Sequence, residues 1–458
     1  MKNFSNKKLS LVISSVALCA TPFAFVPLTS CGNTNTIQLA NFESYMDSEL
    51  MEHLRTSYDV QFQWFTVTEM IETKFRNTYD IAIPCGYELI KLYQKGWLQP
   101  IDWSTFQIPG VTSAETALTT LFAEPAQDAI NEMNDSFQDY LKDPEFNILN
   151  YGVPYFAQSF DFVYKGNEID FYSAVGSHEQ VSQPTWADIF YTVSPNCKYA
   201  NRFGGKIGML DDAKSIYDMA RIVETTEANG GDPTNATNEM PKDSSIEDLK
   251  QTFKSLTSKA YHDWYNLKTD SGQIARTFAD HGDYGYRAIM SWSGDALYAA
   301  QGAGEFDSYT GEQIHTVKPK GVSLDEIDFL VINNKNKDNH EKLERIYKTI
   351  YDICFDGYGA GDDILNKDGD RFEYWSMQNW DTVSYIPLLK DIYNEVSDTD
   401  SHYWDDYAEE TDTKTRELFT SLITFPQQLD IRSLFGRPLS ALENSNTHWA
   451  WIDSKEGL

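Results

Sequence analysis

Past residue 36 the chain keeps switching between two rhythms of apolar and polar positions. Ile37–Phe42 and Val60–Phe65 alternate at every second residue, the period of a half-buried strand. Between them Leu50, Met51 and Leu54 share one face of a 3.6-residue period, which predicts a helix over 48–57. A second helix is predicted over 67–75. A third strand follows over 79–84, ended by Pro84 and Gly86, and a third helix over 87–95. This alternation of strands and helices implies a parallel sheet with helical crossovers.

Farther along, the signals are more scattered. A polar stretch spans 135–143, and Tyr151–Gln158 reads as extended. Pro184-Thr-Trp-Ala-Asp188 has the form of a capped helix start. A strand from 205 runs into a helix at Asp211/Asp212, and 226–249 is rich in turn formers. Residues 286–293 are strand-like and lead into a helix at Gly294. A strand over 327–332 and an amphipathic helix over 341–356 follow.

The N-terminus carries a different pattern. Lys2, Lys7 and Lys8 precede an apolar run from Leu9 to Leu28, which ends in Leu28-Thr-Ser-Cys31-Gly32. Small residues before a Cys at the end of such a run resemble the lipobox of bacterial lipoproteins. That resemblance implies removal of residues 1–30, a diacylglyceryl group on Cys31, and a polar tether over 31–36. Two acyl chains anchor stably where one is marginal. The alternative is an uncleaved membrane anchor, since the run is long enough to span. Either way the remainder faces outward, at the outer side of the cell membrane.

Charge narrows the partners. The 458 residues carry a formal charge of −32. Residues 1–30 hold three Lys and no acid, so the processed chain stands at −35. Such a surface repels nucleic-acid phosphates and attracts cations. Aromatic residues make up 14% of the chain, enough to line a small-molecule cleft as well as fill a core. Of five Cys, Cys19 leaves with the leader and Cys31 takes lipid. Cys85, Cys197 and Cys354 are widely spaced with no CxxC, which argues against zinc; their odd number leaves at least one as a thiol.

Three strand ends carry candidate chemistry: Ile83-Pro-Cys-Gly-Tyr87, Met209-Leu-Asp-Asp212 and Trp292-Ser-Gly-Asp295. In open α/β sheets, ligands sit at the carboxyl ends of strands. A carboxylate there pairs with an ammonium, and an aromatic face holds its methylenes or its charge. Taken singly, Asp211/Asp212 reads more readily as a helix cap, and Trp292 as core. Asn366-Lys-Asp-Gly-Asp370 fails as a calcium loop, because Ile364 and Trp375 fall at ligand positions. No HExxH, GxSxG or P-loop occurs, so no catalytic residue, metal ligand or cofactor is assigned.

In order, eight segments resemble the spermidine/putrescine-binding lipoproteins of bacterial polyamine ABC importers. They are Asn41-Phe-Glu-Ser-Tyr45, Tyr79–Tyr87, Tyr93–Asp102, Tyr151–Tyr155, Pro184–Asp188, Gly208–Ala213, Trp292–Asp295 and Asp328–Ile332. The resemblance covers most of 37–395. It implies an α/β type II periplasmic-binding-protein fold, two lobes with mixed sheets and a hinged ligand cleft. Lobe 1 is expected over 37–157 plus 328–388, and lobe 2 over 158–327 plus 389–458. The resemblance also implies roles. Phe42 and Tyr45 form an aromatic wall, with Cys85 and Tyr87 after the third strand. Asp212, Asp295 and Asp328 pair with amines, Trp292 supports the methylene chain, and Tyr385 sits near a segment that closes the site.

Departures from the family pattern concern the ligand. Phe42 stands where Trp is usual and Cys85 where Ser is usual. Ser215 replaces a Glu, Glu326 replaces a Trp, and the acid of the first turn moves to Glu43. The expected protein is therefore a monomeric, non-enzymatic binder of putrescine or spermidine that serves an ABC permease. Binding of another cation, such as thiamine or ferric ion, is the alternative, although the chain has no Tyr-Tyr pair of the kind ferric sites favour. A secreted hydrolase is the reading from a different class. It requires two carboxylates flanking a scissile bond.

Overall fold

The computed structural model describes residues 35–65, 70–176, 178–194, 197, 203, 206–257, 265–409 and 412–455. The 1–30 leader, Cys31 and the start of the tether lie outside the described residues.

Eleven strands form one mixed sheet. In chain order they are β1 (Ile37–Phe42), β2 (Val60–Phe65), β3 (Ile81–Ala82), β4 (Val153–Lys165), β5 (Ile207–Leu210), β6 (Tyr265–Lys268), β7 (Ala288–Trp292), β8 (Ile314–Val317), β9 (Val322–Ile332), β10 (Ile386–Pro387) and β11 (Arg432–Phe435). The central order is β2-β1-β3-β9-β4-β7-β5-β6, with β8 and β10 on β4 and β11 on β9. β1 runs parallel to β2 and β3, and β5 parallel to β6 and β7. The pairings of β9 with β3 and β4, and of β4 with β7, are antiparallel. The parallel crossovers expected for the first half are present, and the second half repeats them.

Local signals explain the first crossover. Asp47 caps the helix Ser48–Tyr58, its carboxylate accepting from the N–H groups of Glu49 and Leu50 at 2.9 Å. A cap of this kind contributes about 1 kcal/mol. Leu50 and Leu54 are buried beneath it. Gly86 opens the helix Gly86–Gln94 where a Cβ would lie 2.9 Å from the Met133 sulfur, so glycine permits the close approach.

Two hydrophobic cores pack on the sheet. The first gathers β1–β3 and their helices with Val153–Ala157 and Ile327–Ile332, and continues onto the second half of the sheet through Val163, Ile274, Phe278, Ile289 and Leu297; the second gathers Phe160, Phe162, Tyr164, β5 and Val322–Leu324. β4 thus serves the first core up to Ala157 and both cores from Phe160 on, and β9 serves the second core at Val322 and Leu324 and the first from Ile327. These two long antiparallel strands are the frame on which the site is built. The tail is shared: helices Lys390–Ser397 and Thr413–Leu422 feed the first core, and Ala441–Lys455 feeds the second through Ala450 and Trp451.

The polar stretch at 135–143 belongs mostly to the helix Glu124–Leu141. Its charged residues face water, while Ala126, Ala129, Ile130, Met133 and Phe137 form one buried face. The turn-rich region is shorter than expected, because helices Ala213–Ala228 and Ile246–Thr257 enter it from both sides. No helix among the described residues is long and apolar enough to cross a membrane.

Candidate functional site

The turn after β1 is held by a residue that the pattern of the chain did not single out. Asn41 is fully buried; its amide donates to the Tyr45 carbonyl at 3.0 Å and its Oδ1 accepts the Phe42 N–H at 2.8 Å. Ser44 takes a left-handed conformation, φ 61°, inside this clamp. Such a conformation costs a non-glycine residue roughly 1 kcal/mol or more and persists where the surroundings enforce it. The outcome is a fixed Tyr45, whose hydroxyl donates to Asp328 Oδ2 at 2.7 Å. Tyr155 on β4 donates to the Tyr45 carbonyl at 2.8 Å, and Asn379 donates to the Tyr155 hydroxyl at 2.9 Å. Phe42 packs edge-on against Tyr45, ring centroids 5.8 Å apart.

Asp328 is almost wholly buried on β9, and the Cys85 thiol hydrogen-bonds to it from the loop after β3, where Cys85 and Asp328 form an isolated antiparallel bridge. Burial pushes its carboxyl up to about 6, opposed by the hydrogen bonds from Tyr45 and Cys85. Asp295 sits in the first turn of the helix Ser293–Ala300, and burial likewise raises it to about 6. Hydroxyls of Tyr385, Ser271 and Ser291 surround it and hold the charged form. Tyr385 lies between the two acids. It hydrogen-bonds to Asp295, feels Asp328, and meets Tyr45 edge-on at 5.2 Å. Neither Asp295 nor Asp328 forms an ion pair with a Lys, Arg or His among the described residues. Two other buried acids do: Asp80 has Lys342 at 2.9 Å, and Asp161 has Lys318 at 2.7 Å.

The Tyr385 ring rests directly on Gly294. A Cβ there would stand 2.4 Å from two ring carbons. Gly294→Ala is therefore expected to swing Tyr385 away from Asp295 and weaken cation binding by about tenfold or more, the loss of one charge-assisted hydrogen bond. Titration calorimetry on the purified variant checks this; unchanged affinity would show that Tyr385 is not needed where it lies.

A second group adjoins the first. Glu326, two residues before Asp328 on the same strand, accepts the Gly436 N–H at 2.9 Å through Oε1, while its buried Oε2 has no hydrogen-bond partner. Burial holds its carboxyl well above the usual range, with Lys214 opposing and Asp328 and Asp218 reinforcing the shift. Lys214 is buried, ion-paired with Asp218, and has its ammonium 5.3 Å from the centre of the Tyr87 ring. A groove of about 370 Å³ lies near the end of β11, walled by Glu132, Asp135, Asn238, Glu239, Phe435 and Arg437 among others.

Phe42, Tyr45, Cys85, Tyr87, Asp295, Glu326, Asp328 and Tyr385 therefore come together around β9. Asp212 caps the helix Ala213–Ala228, accepting from the Ser215 N–H at 2.8 Å and hydroxyl at 2.6 Å; it borders the cluster through its field on Lys214. Trp292 is half-buried, edge-on to Phe160 at 5.3 Å. Glu43 is exposed. Sequence reasoning missed Asn41, Tyr155, Asn379, Lys214 and Asp218. Lys214 and Asp218 are four residues apart on a helix, which reads as an ordinary surface pair; a signal exists only in the apolar residues around them.

The mixed sheet, threaded by the long strands β4 and β9 and covered by helices, is a two-lobed α/β fold of the type II periplasmic-binding-protein class. Residues 1–428 match the family described as "Hypothetical lipoprotein (MG045 family)", and the chain belongs to that family. Among curated proteins it is similar to the spermidine/putrescine-binding periplasmic protein of Escherichia coli, 22% identical over 319 residues, 68% of this chain and 72% of that one. Among solved structures it resembles a "Putative spermidine/putrescine ABC transporter" of Listeria monocytogenes, with TM-score 0.53, 16% identity, and 92% of this chain and 99% of that one covered. The Tp0655 (TpPotD) lipoprotein of Treponema pallidum gives TM-score 0.51 and 16% identity at the same coverage.

Proposed function

We propose that this protein is a lipid-anchored, outward-facing substrate-binding protein that captures a small polyamine, putrescine or spermidine, for an ABC importer. One observation carries the reading: Asp295 and Asp328 are both buried around Tyr385, without a resident cation among the described residues. Burying a carboxylate unpaired is costly, so a fold that buries two in one cleft gains most from an incoming cation. Ammonium groups supply the charge, and the Tyr45, Tyr385 and Phe42 rings supply apolar walls for the methylenes between them. The names of the similar proteins point the same way, as does the acidity of the chain, which concentrates cations at its surface.

The mechanism is passive. Ligand adds contacts that exist only when both lobes close on it, so it shifts the population toward the closed form. That form presents the docking surface to a permease, while two acyl chains on Cys31 keep the monomer at the outer face of the membrane. No bond is made or broken, which separates this reading from a secreted hydrolase.

The test is calorimetry on the mature, leaderless protein with putrescine, spermidine, spermine and thiamine. Saturable binding of a polyamine is expected. Binding of thiamine alone would move the assignment to another cation, and silence toward all four would end the polyamine reading.

A further inference from the structure

Resting on that reading, we propose that Lys214 is a built-in ammonium that fills one end of the cleft, so that the site selects a diamine over a triamine. The acids form a row. Tyr385 hydrogen-bonds to Asp295 and meets Tyr45, which bonds Asp328; Glu326 follows two residues away on β9, and Gly436 joins it to Tyr87, over whose ring Lys214 lies, which sets the order Asp295, Asp328, Glu326, Lys214. A triamine needs three anionic partners along such a row, and Glu326 is the third. Its Oε2 is buried and carries no hydrogen bond, as an acceptor for a third ammonium should.

That end is already occupied by a cation from the chain itself. Lys214 is 5% exposed, paired with Asp218, and directed at the face of Tyr87. Tyr87 and Glu326 in turn flank Gly436: a Cβ there would lie 2.8 Å from the Tyr87 ring and 2.2 Å from Glu326 Oε1. The lysine thus brings together what a bound alkylammonium would need, a carboxylate partner and an aromatic face, beside an acid that still has an acceptor oxygen. A third ligand ammonium meets a like charge there instead of a free carboxylate. Two ligand ammoniums, at Asp295 and Asp328, meet none.

Two variants test this, Lys214→Met and the charge-balanced Lys214→Met/Asp218→Asn, which keeps Glu326 and leaves no acid stranded on the helix. Each is titrated with putrescine and with spermidine. Wild type is expected to prefer putrescine, and the ratio of the two dissociation constants to move about tenfold or more toward spermidine in both variants, as one additional charge-assisted hydrogen bond would produce. An unmoved ratio in the folded double variant overturns the proposal. A second arm does not depend on polyamine binding and uses the truncation Lys214→Ala: millimolar n-propylammonium is expected to raise the melting temperature of this variant and not of wild type, by filling the vacated position. If neither protein binds a polyamine but propylammonium stabilises the variant, the polyamine reading falls and Lys214 keeps its role. If propylammonium has no selective effect, the placement of Lys214 as a ligand-like cation is overturned.

Discussion

Replacing Asp295 by Asn is expected to raise the dissociation constant for the preferred polyamine by about two to four orders of magnitude. The basis is the cost of leaving one member of a buried charge pair alone, roughly 3–5 kcal/mol. In the variant a ligand ammonium enters a site where Tyr385, Ser271 and Ser291 offer hydroxyls but no charge. The fold has little reason to suffer. Asn keeps an acceptor oxygen for those hydroxyls, and it removes a carboxylate whose ionised form burial disfavours. The ligand-free variant should therefore melt no lower than wild type at pH 7.5 while losing nearly all the ligand-induced rise in melting temperature. Calorimetric titration and scanning calorimetry read the two effects separately. A variant that melts normally and binds within about threefold of wild type would remove Asp295 from the site.

Much of the first half of the fold was legible in the chain, because β1 and β2 open on alternating apolar and polar residues and their helix carries both a cap and an apolar stripe. The frame between the lobes was not. β4 is buried on both faces through Tyr164, so its residues show no alternation, and its one acid is hidden by a partner distant in sequence: Asp161 is neutralised by Lys318. Only its first half, to Gln158, reads as extended. β9 has the same character, buried at all of Val322–Ile332 despite Asp325, Glu326 and Asp328. A strand carrying three acids does not look like a core strand until the partners that tolerate them are in place. Ser323 and Ser433 hydroxyls donate to Asp325, Gly436 donates to Glu326, and Tyr45 to Asp328.

The same logic divides the site. Residues at strand ends could be found, since chain direction in a parallel sheet places them together. Residues acting through tertiary partners could not. Asn379 matters because it meets Tyr155 and the Asp47 N–H across 224 and 332 positions of chain. Lys214 matters because its charge acts on Glu326 across the fold, and in sequence it has only a carboxylate four residues on. The expected alternative for Asp212, a helix cap, is what the hydrogen bonds to Ser215 describe; its part in the cleft is electrostatic.

The buried acids make the stability of the ligand-free protein depend on pH in a direction opposite to that of most salt-bridged carboxylates, and make binding depend on pH as well. Burial raises Asp218, Asp295 and Asp328 to about 6 and Asp325 to about 7, against an ordinary value of 3.8. Each folded carboxyl holds its proton more tightly than the unfolded chain does. The associated stability is complete below about pH 4 and is lost as pH rises through 6 to 7. The ligand-free protein should accordingly melt at a lower temperature at pH 7.5 than at pH 5. An ammonium reverses this, because it pairs only with the ionised form. Polyamine affinity should fall as pH drops from 7.5 to 5, by about tenfold for each of Asp295 and Asp328 that must give up a proton, or about a hundredfold together. Titrations in two buffers of different ionisation enthalpy should show protons released on binding near pH 6, and Asp295→Asn should release fewer. Affinity that is flat across this range would mean that the ligand does not meet these carboxylates, whatever else it touches in the cleft.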